Sequence, residues 1–187
     1  MYFAMYIVLA IIVLIALYAV FIYNGLVRAR QVAEEAWSGI DVQLKRRADL
    51  IPNLIETVKG YAAHERQTLE EVVALRNKAQ AMPSGDVAAR GQVEGLLSQA
   101  LGRVIALAEA YPDLKANTNF IELQRSLEGI EEEIQMSRRY YNGAARELNV
   151  KVESFPNNLL AGQFGFSKRE FFEITNEADR AVPTVKF

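Results

Sequence analysis

The chain has 187 residues, of which 51% are hydrophobic and 24% charged, and 21 Lys and Arg stand against 23 Asp and Glu for a formal net charge of -2. This length suits one domain with room for an appendage, and the charge balance argues against a nucleic-acid binder, which carries a basic surplus. The absence of cysteine excludes a disulfide framework, a thiolate metal site and a lipoprotein anchor, and the single histidine, His64, excludes any site built on two imidazoles.

The apolar residues are concentrated at the start. Residues 1–23 are all apolar or aromatic, Asn24 is the first strongly polar side chain and Arg28 the first charge. As a helix this stretch measures about 34 Å, enough to cross a hydrocarbon core of about 30 Å. Tyr2 and Tyr6 near one end and Tyr18 and Tyr23 near the other suit the two aromatic belts of a spanning helix. A cleaved signal peptide needs a basic start, a shorter apolar core and a small-residue cleavage site, and none is evident. No Lys or Arg precedes the span, whereas Arg28 and Arg30 follow it, so the positive-inside rule places the rest of the chain in the cytoplasm and the N-terminus outside.

The remaining 164 or so residues are enough for a core and read as helix. From Gln31 to Gln80 apolar residues recur at helical spacing: Val32, Ala36, Ile40, Leu44, Ile51, Leu54, Val58, Ala62, Leu69, Val72 and Val73. Pro52 interrupts the run. Proline in a helix interior costs about 3 kcal/mol, so the helix either kinks near Ile51 or restarts at Pro52 with Asp49 as its cap. Met82-Pro83-Ser84-Gly85-Asp86 is a turn. A further helix runs from about Asp86 to Tyr111 with Val93, Leu97, Ala100, Leu101, Val104, Ile105 and Ala108 inward, and Pro112 ends it. Gly91, Gly95 and Gly102 weaken this helix and permit close approach of another.

Phe120, Leu127, Ile134, Tyr141, Leu148 and Phe155 recur every seven residues, the seam of a bundle or coiled coil. Leu123, Ile130 and Ala144 fill the intermediate row, and Glu131, Glu132, Glu133, Arg138 and Arg139 mark the opposite face. Pro156 stops the helix. Phe155, Phe164, Phe166, Phe171, Phe172 and Phe187 crowd the tail, where Ser167 and Glu170 form a capping box for a short helix and Pro183 favours an extended end. The expected organisation is therefore an anchor at 1–23, a helical body at 24–156 with helices near 24–51, 52–82, 86–111 and 118–155, and a phenylalanine-rich tail at 157–187.

Catalytic equipment is scarce. His64-Glu65 opens a zincin-like pattern, but Thr68 stands where the second histidine belongs. There is no phosphate-binding G-x-x-x-x-G-K-[ST] loop and no G-x-S-x-G. Glu34/Glu35, Glu70/Glu71 and Glu131 to Glu133 are adjacent on helices, and adjacent residues do not face each other, so they read as solvated faces rather than acid–base pairs. The densest polar cluster is Trp37, Asp41, Lys45, Arg46, Arg47, Asp49 and Asn53. It reads either as a salt-bridged helix, with Asp41–Lys45 and Lys45–Asp49 at i,i+4, or as a binding face for an acidic partner or anionic headgroups. Lys45 lies about 33 Å along a straight helix from Tyr23, beyond a Debye length of about 8 Å, which weakens the lipid version. The aromatic tail is read as a lid over the bundle end or as a docking surface for a neighbouring subunit or the bilayer.

These residues carry a resemblance. The stretches YNGLV (23–27), AWSGIDVQLKRRADLIPNLIETVKGYAAHE (36–65), YYNGAARELNV (140–150), FPNNLLAGQFGF (155–166) and PTVKF (183–187) resemble the LemA family of bacterial membrane proteins across nearly the whole chain. The resemblance implies a single-pass protein of the bacterial inner membrane carrying an antiparallel four-helix bundle, an all-α fold with an aromatic C-terminal tail. It implies no enzymatic activity, no cofactor and no metal, and so no catalytic residues. Family genes often neighbour membrane proteases or envelope proteins, and one branch builds internal bacterial membranes. Trp37, Asp41, Lys45, Arg46, Arg47, Asp49, Pro52, Asn53, His64, Phe155, Pro156, Phe164, Gly165 and Phe166 match the family pattern and, with Phe171 and Phe172, read as its bundle and interface signature. The function expected is a membrane-anchored, non-enzymatic scaffold that forms homo-oligomers and organises envelope proteins or membrane. An adaptor subunit of a membrane protease or transporter is the alternative, and a sensor with a pocket near Trp37 a third.

Overall fold

The computed structural model describes residues 2–83 and 85–174. Six helices, and no strand among the described residues, form it: α1 (Tyr2–Lys59), α2 (Arg66–Ala81), α3 (Val87–Leu107), α4 (Pro112–Lys115), α5 (Thr118–Glu153) and α6 (Asn157–Gln163). The chain divides into two compact units. Of the described residues, one comprises 2–38 and 140–170, the other 39–83, 85–139 and 171–174.

In the first unit, residues 2–18 of α1 are exposed throughout. The helix then begins to pack, burying Ile22, Leu26, Ala29, Ala33 and Ala36 at three- and four-residue steps, the spacing of a single helix face. From α5 this unit buries Tyr141, Ala144, Ala145 and Leu148. Small residues dominate the α1 side, so the backbone comes close to its neighbours at little side-chain entropy cost.

In the second unit, segments of α1, α2, α3, α5 and, through Leu114, the short α4 share a core. Ile51, Leu54, Ile55 and Val58 of α1 meet Leu69 and Val72 of α2, Leu97, Ala100, Leu101 and Val104 of α3, and Phe120 and Leu127 of α5. Each buried Leu, Ile, Val or Phe contributes about 1.5–3 kcal/mol relative to exposure. Asp86 caps α3 by accepting from Ala89 N at 3.1 Å, and Asn117 caps α5 by accepting from Phe120 N at 3.0 Å.

Several boundaries differ from the sequence expectation. Helix α1 runs through Pro52 to Lys59, and the break falls at residues 60–65. Proline has no N–H for the carbonyl four residues back, which here is Ala48 O. Arg76 of α2 supplies the missing donor, its Nε reaching Ala48 O at 2.8 Å. Asp49 is thus a mid-helix residue, not a cap. Helix α3 stops at Leu107, before Pro112, which opens α4 at its first position, where proline fits. Residues 167–174 are not helical, so the Ser167–Glu170 box caps no helix, and the short tail helix is α6 instead. His64 sits exposed in the turn between α1 and α2, not on a helix. Phe155 leaves the seam and is exposed, because α5 ends at Glu153. Ser84 of the expected turn, together with Pro183 and Phe187 of the expected extended end, lies outside the described residues.

Candidate functional site

Two clusters stand out, one in each unit. In the second unit, Arg47 is 1% exposed. Its Nη2 donates to Glu94 Oε2 at 2.6 Å and its Nη1 to Glu131 Oε2 at 2.7 Å and to Ser98 Oγ. Arg90 extends the network, pairing with Glu94 at 3.3 Å and with Asp41 at 3.2 Å. Three carboxylates thus neutralise two guanidiniums across α1, α3 and α5. Among the described residues no partner lies within reach of Arg47 Nε. Breaking one side of such a pair costs much more than the pair contributes, since it strands a buried charge. The network therefore fixes which faces of α1, α3 and α5 may meet.

This arrangement corrects the reading of the basic run. Arg47 is not part of a binding face, and Asp41 turns to Arg90 of α3 rather than serving as a rung with Lys45. Lys45, Arg46, Asp49 and Asn53 are exposed. Lys45 lines a cavity of about 280 Å³ with Asp41, Arg90 and Glu94. Glu131 belongs to the buried network and not to the solvated face expected for it. Sequence reasoning missed Glu94, Arg90, Ser98 and Arg76. The available signal was a glutamate and an arginine, one turn apart, on the apolar side of α3.

The second cluster lies where the apolar stretch of α1 ends. Helix α6 closes with Gly165 at φ +71°, and Phe166 N donates to Ala161 O at 2.9 Å. This is the glycine-terminated helix end in which the residue after glycine folds back over the last turn. Phe166 accordingly packs with Ala161 onto Ile22 and Leu26. The Tyr23 ring meets Phe164 at 5.0 Å and Phe166 at 5.8 Å, both edge-on, and the Arg30 guanidinium lies 5.0 Å from the Phe166 ring.

The chain after Phe166 is strapped down in an extended path. Asn149 acts as a backbone surrogate, donating to Arg169 O at 2.9 Å and accepting from Arg169 N at 2.7 Å. Arg169 pairs with Glu34 at 2.8 Å and Lys168 with Glu153 at 2.7 Å. Trp37 is half-buried against Tyr141, 5.4 Å between rings, and the Tyr141 hydroxyl donates to Glu170 O at 2.9 Å. Burial pushes the Tyr141 phenol above its ordinary range. In the second unit Phe172 is fully buried, Phe171 is exposed, and Glu173 backbone lies against Gly91. Gly91 thus admits an extended segment, not a helix. Of the expected tail residues, Phe166 and Phe172 are covered, Phe155 and Phe164 are exposed, and Pro156 is half-buried.

Among the described residues no group of three or more His, Cys, Asp or Glu side chains is placed to hold a metal. A larger cavity, about 540 Å³, is lined by Ile55, Lys59, Arg66, Leu69 and Glu70. Its cations are already paired, Lys59 with Glu56 and Arg66 with Glu70. The fold and the two clusters define an all-α protein with one N-terminal helix long and apolar enough to cross a membrane. The chain belongs to the LemA family, whose family model matches residues 36–187. It is similar to magnetosome protein MamQ 2 of Paramagnetospirillum magneticum and to magnetosome protein MamQ of Magnetospirillum gryphiswaldense, each 25% identical over 87% of this chain and 68% of the relative. Protein LemA of Metamycoplasma hominis is 29% identical over 74% of this chain and 63% of that protein.

Proposed function

We propose that the protein is a membrane-anchored, non-enzymatic helical scaffold that self-associates at the bacterial inner membrane. The observation that carries the reading is α1 itself. One uninterrupted helix supplies an exposed apolar stretch and then, from Ile22 onward, the buried positions of the first unit. An exposed run of this length and composition costs heavily in water and little in lipid. With no linker after it, the anchor delivers the packed residues Ile22 to Ala36 directly at the membrane surface. The charged side chains at the core of the second unit are committed to one another, which suits a structural role rather than chemistry on a substrate. Arg28 and Arg30 immediately after the stretch favour a cytoplasmic body. Exposed Tyr140 and Val150 on α5 in the first unit supply apolar area for a second copy.

The chain lacks cysteine, so Gln67→Cys places a single thiol on an exposed helical position. The variant is expected to stay with membranes after alkaline carbonate washing and to resist an impermeant thiol reagent applied to intact cells. Release by carbonate overturns the anchoring, and labelling from outside overturns the orientation.

A further inference from the structure

We propose that the corner where α5 gives way to α6 is a second membrane contact, with Phe155, Leu159 and Phe164 seated in the headgroup–acyl boundary of the bilayer that α1 crosses. The proposal rests on the anchoring reading and concerns where the first unit lies once residues 2–23 are in lipid. These three side chains are 80%, 65% and 53% exposed. They follow one another across a single corner, unlike scattered surface apolar residues, which need no explanation.

Register assigns the occupant. Trp37 of α1 packs on Tyr141 of α5, and Val152 of α5 packs on the Ile22–Leu26 cluster. As α5 advances from Tyr141 to Val152, its neighbour on α1 retreats from Trp37 towards Ile22, so the two segments run antiparallel and α5 heads back to the span. Phe155 lies three residues past Val152, just beyond the end of α5 at Glu153. Val152 before this corner and Leu160, Ala161 and Phe166 after it all pack on Ile22 and Leu26, so the corner forms beside the end of the apolar stretch. Gly165 then turns Phe166 inward and leaves Phe164 edge-on against Tyr23, a tyrosine placed as interfacial tyrosines are. Side chains seated in the plane of an interface penetrate about 5–10 Å. Arg28 is exposed and Arg30 sits over Phe166, so cations flank the patch at headgroup level. Because the corner sits beside the end of the span, the bilayer is its occupant, and a second copy of the chain is the contrary outcome of the test.

The test uses the full chain reconstituted into phosphatidylcholine–phosphatidylglycerol vesicles, with an environment-sensitive fluorophore on one introduced thiol at a time. The variants are F155C, L159C and F164C, with V13C inside the apolar stretch and E132C on an exposed face of α5. Spin-labelled lipids quench from the headgroup end or from the chain end. The labels at 155, 159 and 164 are expected to lose fluorescence chiefly to the shallow quencher, the label at 13 to the deep one, and the label at 132 to neither. Quenching at 13 with none at the three corner positions overturns the contact and leaves the anchor standing. Labels at the corner that are shielded from water yet unquenched by lipid also overturn it, in favour of a protein neighbour. No quenching at 13 removes the anchoring reading and this proposal with it. All three corner positions are exposed and are read separately, so a folding defect at one does not decide the outcome.

Discussion

Replacing Arg47 by methionine keeps most of the side-chain volume and removes the charge. Glu94 is then left 2% exposed, with Arg90 at 3.3 Å as its remaining ionic partner, and Glu131 loses its 2.7 Å partner. Stranding one side of a buried pair costs about 3–5 kcal/mol. Glu131→Gln removes a carboxylate whose side chain is 36% exposed, so its cost is nearer the range for partly solvated pairs, about 1 kcal/mol. Combining Arg47→Met with Glu94→Leu removes both ends of the shortest pair and should recover a substantial part of the loss, because replacing a buried pair by packed apolar groups is often near neutral. For a chain of this size 1 kcal/mol moves Tm by roughly 2–4 °C. Thermal unfolding of the full chain in detergent, followed by circular dichroism, should show R47M falling roughly 6–20 °C on that scale, with E131Q falling much less. A coupling between positions 47 and 94 below about 0.5 kcal/mol, the usual scatter for independent sites, would refute the network as an organising element. So would a Glu131→Gln variant less stable than Arg47→Met.

Arg76→Met should cost about 1–3 kcal/mol by leaving Ala48 O without its donor beside Pro52, and restoring the N–H with Pro52→Ala should make the same Arg76 change nearly silent, which a double-mutant cycle on Tm reads. Tyr141→Phe should cost about 1 kcal/mol through the lost bond to Glu170 O. Because burial raises the phenol's folded-state pKa above its ordinary 10.0, its contribution is complete below pH 10 and is lost as pH rises through the folded value. The wild-type chain should therefore destabilise more steeply than Tyr141→Phe above that pH, and parallel profiles would contradict the assignment. Gly91→Ala would place a Cβ 2.5 Å from Glu173 O, so residues 171–174 must shift, and protease cleavage near Phe172 should accelerate.

The heptad on α5 was legible because burial there depends on one helix's own period: Phe120, Leu127, Ile134, Tyr141 and Leu148 are all buried. Phe155 carries the same period but lies beyond the helix end at Glu153, where periodicity no longer governs direction. Pro52 left a kink and a restart open, and the helix continues through it; the choice was not legible because Arg76, which serves Ala48 O, stands on another helix. The Lys45-Arg46-Arg47 run looks uniformly basic, yet only Arg47 falls on the inward face with Leu44 and Ile51, and its acceptors are remote in sequence. Ser167 and Glu170 have the form of a capping box, but Asn149 and Tyr141 take the backbone of Arg169 and Glu170 and hold it extended. Local signals thus located the long helices but not all of their ends, nor the short α4 and α6. The charged network and the strap belong to tertiary partners.

The central claim is that an anchored helical body assembles with copies of itself. The mass of the full-length protein in mild detergent, corrected for bound detergent and repeated in lipid nanodiscs, tests it most directly. The account predicts a discrete oligomer of the 21.0 kDa chain that persists in both media. A monomer in both would contradict self-association and leave an anchored protein that works through a different partner.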